Sequence, residues 1–152
     1  MHSLRLSFIC QIILLIYFQA VEWINLFPWN EVRNGNGQAG LDITIGVIMA
    51  GAILATFYRI RLAMSVAAAL CAVWLWLQID TWWLGYLRGA SPAWQRTYSH
   101  FFSQTVQVLP RVDSHLPPDA CHLVLQILVL MALATTLYSS ISLWRLRSTQ
   151  EG

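Results

Sequence analysis

Six polar side chains adjoin long apolar runs of this sequence, in places where polar groups are uncommon: Glu22, Asn25, Gln78, Asp80, His122 and Gln126. A charge at the centre of a membrane helix costs roughly 2.5–3.5 kcal/mol on insertion scales, so such residues are functional candidates by default. Brought together, carboxylate, imidazole and amide groups could form a ligand platform or the rim of a catalytic site. The competing interpretation is that each is an interfacial residue, hydrogen-bonded to a neighbour or to a lipid headgroup.

The histidines do not predict a metal centre. His100, His115 and His122 are near one another in sequence, together with Asp113 and Asp119. Their spacing matches no diagnostic zinc motif, and a bis-histidine haem needs histidines at matched depth on facing helices. Only His122 is placed in that way. We therefore expect no metal and no cofactor.

The three cysteines, Cys10, Cys71 and Cys121, show no CxxC spacing and cannot form a complete disulfide framework. We interpret Cys10 and Cys71 as small buried hydrophobic residues. Cys121 precedes His122, but adjacent helical residues point in different directions, so a nucleophilic pair is not predicted. The glycine-rich stretch Arg33–Gly40 is typical of a flexible loop and not of a phosphate-binding loop.

The composition is that of a membrane protein. The chain is 57% hydrophobic and 11% charged, against about 25% charged residues in soluble domains. About 20 mostly apolar residues cross a bilayer as a helix, and four segments qualify: Leu6–Leu26, Leu41–Tyr58, Leu62–Ile79 and His122–Trp144. The sequence predicts an all-α integral membrane protein, one domain over residues 1–152, built as a four-helix bundle. The first run is too long for a signal peptide, so we expect it to be retained.

The arginines predict the orientation, because cytoplasmic loops collect positive charge. With four spans, one side holds five arginines and one acid, and the other holds four arginines and six acids. We expect a multi-pass protein of the plasma membrane, or of the inner membrane in a Gram-negative bacterium, with both termini cytoplasmic. The same threading puts the six polar residues at one depth near the outer surface. No basic cluster with interleaved aromatics is present, so nucleic acid is not an expected partner.

The second and third spans are joined by about four residues, which makes them antiparallel neighbours. Small residues recur four apart along both spans and predict a close helix contact. They are Gly46, Ala50, Gly51 and Ala55 in one span, and Ala63, Ala67, Ala68, Cys71 and Ala72 in the other.

The segment between the third and fourth spans is too long to be a bare loop. Ser91 and Pro92 form a helix start signal, and apolar residues then recur at helical spacing until Pro110. This pattern predicts an extracytoplasmic amphipathic helix over about 92–109 that lies in the outer interface or caps the bundle. We interpret the preceding pair Trp82 and Trp83 as part of an interfacial aromatic belt. Asp119 is expected to cap the fourth span.

Three functions remain open on the sequence alone. The first is a non-enzymatic membrane protein that binds a partner or assembles, possible partners being another membrane protein or a second copy of the chain. The second is a small membrane enzyme or redox subunit that acts on a lipid-soluble, quinone-like substrate. The third is a transport component, which with four short spans would have to oligomerise.

Overall fold

The computed structural model describes residues 2–32 and 39–148, except for the side chains of residues 146–148. Six α-helices follow one another: α1 (His2–Trp23), α2 (Ala39–Phe57), α3 (Arg61–Ile79), α4 (Gly85–Arg88), α5 (Pro92–Phe101) and α6 (Ala120–Ser148). A π-helical turn, Asp80–Leu84, joins α3 to α4. The described ranges contain no strand, only two isolated β-bridges. The loop expected at Arg33–Gly40 lies almost wholly outside the described residues.

Four helices are long and apolar enough to cross a membrane, with a mean hydropathy between 1.9 and 2.1 over their best windows. They are His2–Trp23, Ala39–Phe57, Arg61–Arg88 and Ala120–Arg145. The expectation of an all-helical chain with four such segments is confirmed. The third helix runs well beyond its predicted end at Ile79, because the π-helical turn keeps the chain helical through the tryptophan pair.

Helix α6 packs against both α1 and α3, and α2 packs against the same two helices. The contacts show that successive helices alternate in direction. At one end the Arg61 guanidinium lies over the Trp144 ring, 4.8 Å from its centroid, and Phe8 contacts Phe57. We call this the arginine end. The opposite end is covered by α5 and residues 102–119, which together we call the α5 layer.

The apolar core lies between α1, α2 and α6 and consists of Cys10, Leu14, Phe18, Met49, Leu125, Val129 and Ala132. Phe18 makes an edge-to-face contact with Trp74 of α3, with 5.5 Å between ring centroids. Many large apolar side chains remain exposed on the outer faces of the long helices, Ile16, Val47 and Val73 among them. Such faces are stable when the surrounding solvent is hydrocarbon.

Buried hydroxyl and amide groups connect the helices towards the arginine end. The Thr136 hydroxyl of α6 lies 2.9 Å from the Ser7 hydroxyl and accepts a hydrogen bond of 2.8 Å from the Gln11 amide of α1. On the other side of α6, the hydroxyls of Ser140 and Ser65 lie 2.8 Å apart. Polar side chains of this kind hold helices together in a bilayer, where burial of apolar surface supplies no driving force.

The predicted close contact between α2 and α3 is wrong. A Cβ added at Gly51 would meet nothing within 4 Å, and one added at Gly46 would meet Gln19 of α1 and not α3. Five of the predicted small residues instead line an apolar cleft of about 620 Å³ between α2 and α3: Gly51, Ala55, Ala63, Ala67 and Cys71. Met49 and Trp74 line the same cleft.

We expect Thr136→Val to lower the free energy of unfolding by about 1–2 kcal/mol, because it removes the group that Ser7 and Gln11 both contact and leaves Gln11 poorly satisfied. The matched control is Thr135→Val. The Thr135 hydroxyl bonds to the Met131 carbonyl of its own helix, so its loss should change stability little. Unfolding in mixed micelles measures both variants, and equal losses would contradict the assigned role of the polar contacts.

Candidate functional site

Helix α5 begins as predicted but ends early. The Ser91 hydroxyl accepts a hydrogen bond of 3.2 Å from the Trp94 backbone N–H, and Pro92 occupies the first turn. The helix ends at Phe101 and not near residue 109. Beyond it, backbone groups of residues 106–108 pair with distant carbonyls, those of Pro28 and Pro118, at 3.0 and 2.9 Å. These long-range bonds replace the hydrogen bonds that a longer helix would have made.

The interpretation of the tryptophan pair as an interfacial belt is wrong for Trp82, which lies inside the protein, whereas Trp83 is half-buried. Trp82 is only 4% exposed. A π-helical turn accommodates an extra residue and is frequent at functional sites. Here it turns Trp82 under α5, where it packs on Trp94 and Phe102 with centroids 5.7 and 5.1 Å away. The Trp83 indole N–H donates to Gln126 Oε1 at 2.7 Å.

Asp119 caps α6, as the sequence predicts, and also holds a histidine. Its Oδ1 accepts a hydrogen bond of 2.7 Å from the His122 backbone N–H and lies 2.8 Å from Nδ1 of the same residue. The Thr105 hydroxyl lies 3.3 Å from Oδ2, and Asp119 is 1% exposed. A carboxylate at Nδ1 fixes the neutral tautomer that carries its proton there. The lone pair is then on Nε2, for which the described residues supply no hydrogen-bond partner.

Aromatic rings hold the imidazole of His122 from two directions. The Trp82 ring packs against it in a tilted arrangement, with centroids 4.3 Å apart and planes 35° apart. The Phe102 ring meets it edge-on at 5.3 Å. The side chain is 21% exposed. The Asp119 carboxylate at Nδ1 and the packing of the two aromatic rings therefore fix the orientation of the His122 imidazole and leave its side chain little freedom to rotate.

A cavity of about 310 Å³ opens beside this histidine. Its walls come from the end of α1, residues 30–32, the π-helical turn, α5 and the start of α6. Four aromatic residues line it, Trp82, Trp94, Phe101 and Phe102, and so do three acids and a histidine, Glu22, Glu31, Asp119 and His122. We call it the α5 cavity. A site of this size, apolar with a few convergent polar groups, is typical of small-molecule binding.

Glu22 and His122 are the two sequence-predicted site residues that line the α5 cavity. Glu22 is partly buried near the end of α1. No hydrogen-bond donor of the described residues reaches its carboxylate. The cavity thus combines an oriented imidazole with a carboxylate whose oxygens are left for a further group.

The other four predicted residues are not part of the cavity lining. Gln126 is buried deeper along α6, where its Oε1 is bonded and its Nε2 has no partner within the described part of the chain. Gln78 is similar, with Oε1 buried and unbonded among those residues. Asp80 is exposed and lies 3.5 Å from Arg88, a surface pair that contributes little. Asn25 is exposed, and its side-chain oxygen accepts from the Val32 backbone N–H at 3.4 Å.

The sequence analysis did not predict two features of the site. One is the aromatic lining formed by Trp82, Trp94, Phe101 and Phe102, and the other is the contact of Asp119 with the His122 imidazole. The Asp119–His122 contact could have been predicted from the spacing of the two residues. An N-cap residue and the residue three positions later approach each other at the start of a helix, as in a capping box. Asp119 and His122 have this spacing. No comparable sequence pattern predicts the aromatic contacts of Trp82. The π-helical turn brings Trp82 against Trp94 and Phe102, which lie 12 and 20 positions later in the sequence.

Tyr17 joins α1 to the cavity wall. Its hydroxyl donates to the Cys121 carbonyl at 2.8 Å and accepts from the Trp29 indole N–H at 3.1 Å. Cys121 is buried and lines the cavity. All three cysteines are free thiols, and Cys10 is a buried core residue as interpreted. Among the described residues, no three His, Cys, Asp or Glu side chains are placed to hold a metal ion.

Tyr98 fastens the α5 layer over the cavity. Its side chain is fully buried, and its hydroxyl donates to the Pro117 carbonyl at 2.9 Å. Burial raises the pKa of Tyr98 to about 12; the negative charge of Asp119 acts in the same direction and Arg111 opposes it. The phenol therefore remains a neutral donor throughout the physiological pH range.

The chain matches no protein-family model, no curated protein and no solved structure. The assignment of a function therefore depends on the geometry of the site.

We expect Tyr98→Phe to loosen the α5 layer, because it leaves the Pro117 carbonyl buried without its donor, at a cost of about 1–3 kcal/mol. Tyr86→Phe is the matched control. The Tyr86 hydroxyl also donates to a proline carbonyl, that of Pro110 at 3.1 Å, but in an exposed position, where water can replace it. Hydrogen exchange of residues 102–119 should accelerate in the first variant only. Similar exchange in both variants would show that the buried bond does not hold the layer.

Proposed function

We propose that this is a four-span membrane protein that acts by binding, and that the α5 cavity is its ligand site. The ligand is a small molecule that reaches the cavity at the membrane surface. A membrane partner or a second copy of the chain is the expected context for such a subunit. The observation that carries the proposal is the Glu22 carboxylate, to which no donor of the described residues bonds, in a cavity that the oriented His122 imidazole and aromatic side chains also line.

We further propose that the arginine end is cytoplasmic and the α5 layer extracytoplasmic, in a plasma membrane or Gram-negative inner membrane. The support is the charge distribution, since cytoplasmic connections collect arginine. Arg5, Arg59 and Arg61 lie at the start of α1 and in the α2–α3 connection, on the same side as the end of α6. The α5 layer and the neighbouring helix ends carry most of the acids. On this topology α5 and its apolar face lie at the outer membrane interface.

The size and enclosure of the cavity favour a headgroup or a small organic molecule as the ligand. Its volume is about 310 Å³, at the lower end of the range of roughly 300–1,000 Å³ usual for ligand pockets. The aromatic side of the cavity suits the apolar part of a ligand, and the side formed by Glu22 and His122 suits a polar group of the same ligand. An amphiphile lying at the interface would present both.

A small membrane enzyme is the second candidate, and one specific observation favours it. A histidine whose Nδ1 is held by a buried carboxylate and whose Nε2 is free has the arrangement of a general base. Glu22 in the same cavity could serve as the acid. A catalytic role for His122 requires turnover of a bound molecule, whereas the binding function does not.

We expect a reporter fused to the C-terminus to be active only in the cytoplasm, and a reporter inserted at Arg96, on the exposed face of α5, only outside. The physical reason is the excess of arginine at the arginine end. Alkaline phosphatase and fluorescent-protein fusions at the two positions measure this directly. Phosphatase activity of the C-terminal fusion would reverse the proposed orientation.

We expect a small molecule to co-purify with the wild-type protein and to be lost from Thr97→Trp, because the indole would fill the cavity from α5. Thr97 is exposed, lines the cavity and bonds only to the Ala93 carbonyl of its own helix, so the helix should tolerate the change. Ser99→Trp, also exposed on α5 but outside the cavity lining, is the control. Native mass spectrometry from a mild detergent provides the readout. Identical spectra for all three proteins would refute the proposed site.

A further inference from the structure

We propose that the α5 cavity takes an organic cation, an ammonium or quaternary ammonium group carried by a free amine or by a lipid headgroup. This inference rests on the proposed function of the cavity as a ligand site and adds the chemical class of the ligand. It follows from the acidic groups that line the cavity, from the lack of a hydrogen-bonded partner for Glu22 among the described residues, and from the aromatic walls.

The charge of the lining is negative. Glu22, Glu31 and Asp119 contribute carboxylates, and His122 is the one basic residue among the described residues of the lining. No arginine belongs to that lining, and the chain contains no lysine. Phosphate and carboxylate ligands are recognised through Arg and Lys. An anionic ligand would meet like charge here, and a cation would meet complementary charge.

Within the described part of the chain, no hydrogen-bond donor pairs with the Glu22 carboxylate. His122, the one basic residue of the described lining, directs Nδ1 to Asp119 at 2.8 Å, and no hydrogen bond joins Nε2 to Glu22 in the described part of the chain. A partly buried carboxylate that is neither paired nor hydrogen-bonded is unfavourable. A ligand cation entering the cavity supplies the missing partner and gains a charge-assisted contact in return.

The aromatic walls favour an organic cation over a metal ion. Trp94, Phe101 and Phe102 line the cavity beside the carboxylates, and rings of this kind attract ammonium groups through cation–π interactions. Trp82 contributes less, because His122 covers one of its faces. A calcium ion needs six to eight oxygen ligands, and within the described residues no group of three acidic, histidine or cysteine side chains converges on a metal position.

The test uses the full chain in nanodiscs of phosphatidylglycerol, a lipid without an ammonium group. Calorimetry compares choline with its uncharged isostere, in which a tert-butyl group replaces the trimethylammonium. Choline should bind about tenfold or more tightly than the isostere. Glu22→Gln should weaken choline binding by about the same factor. Asp80→Asn removes a carboxylate outside the cavity and should leave binding unchanged.

A second variant and a second membrane complete the experiment. Trp94→Leu keeps an apolar side chain but removes the ring, so it should weaken choline binding without affecting the isostere. Nanodiscs that contain phosphatidylcholine distinguish the source of the cation: competition with choline identifies a lipid headgroup, and unchanged choline binding identifies a free amine. Circular dichroism and gel filtration check that each variant is folded.

Two outcomes would overturn the inference while the proposed function stands. One is equal affinity for choline and its isostere. The other is undetectable choline binding by a protein that still carries a co-purified small molecule, which Thr97→Trp removes. Loss of that co-purified molecule from every variant, or its absence from the wild type, would instead count against the proposed function itself.

Discussion

The carboxylate of Asp119 is the group on which the α5 end of the molecule depends. It is a charged side chain only 1% exposed, and burial of a charge is costly unless hydrogen bonds compensate for it. The His122 backbone N–H and imidazole bond to one oxygen, and the Thr105 hydroxyl approaches the other. One residue thus starts α6, orients the imidazole and anchors the chain that returns from α5. Loss of any of these donors leaves a buried charge poorly compensated.

The backbone that carries Asp119 is held from both sides. The carbonyls of Pro117 and Pro118 accept hydrogen bonds from the Tyr98 hydroxyl and the Val108 N–H. The Ala120 N–H donates to the Val106 carbonyl at 2.7 Å. Proline carbonyls accept but their nitrogens cannot donate, so a proline-rich entry to a helix needs donors from elsewhere. The α5 layer supplies them, which explains why this long connection is ordered without being a longer helix.

The sequence predicted the long helices because a run of about 20 apolar residues has one stable solution in a bilayer. It also predicted the Ser91 start of α5 and the capping role of Asp119, which depend on two or three adjacent residues. The end of α5 could not be predicted in the same way. Helical periodicity continues to Leu109, but the backbone beyond Phe101 bonds to Pro28 and Pro118, partners distant in sequence. The α2–α3 cleft was not predicted either, since small residues permit a close helix contact but do not require one, and several of them line the cleft instead.

The candidate site was partly predictable because depth in a membrane can be counted along the sequence, whereas direction around a helix axis cannot. Glu22 and His122 share both depth and direction, and they meet at one cavity. Asp80 has a similar depth but faces outward to Arg88. The π-helical turn that begins at Asp80 changes the direction of every residue after it, and it turns Trp82 inward against His122. A single turn of altered helix therefore decides that Trp82 becomes part of the wall of a cavity that Glu22 and His122 also line, while Trp83 bonds to Gln126 outside that lining.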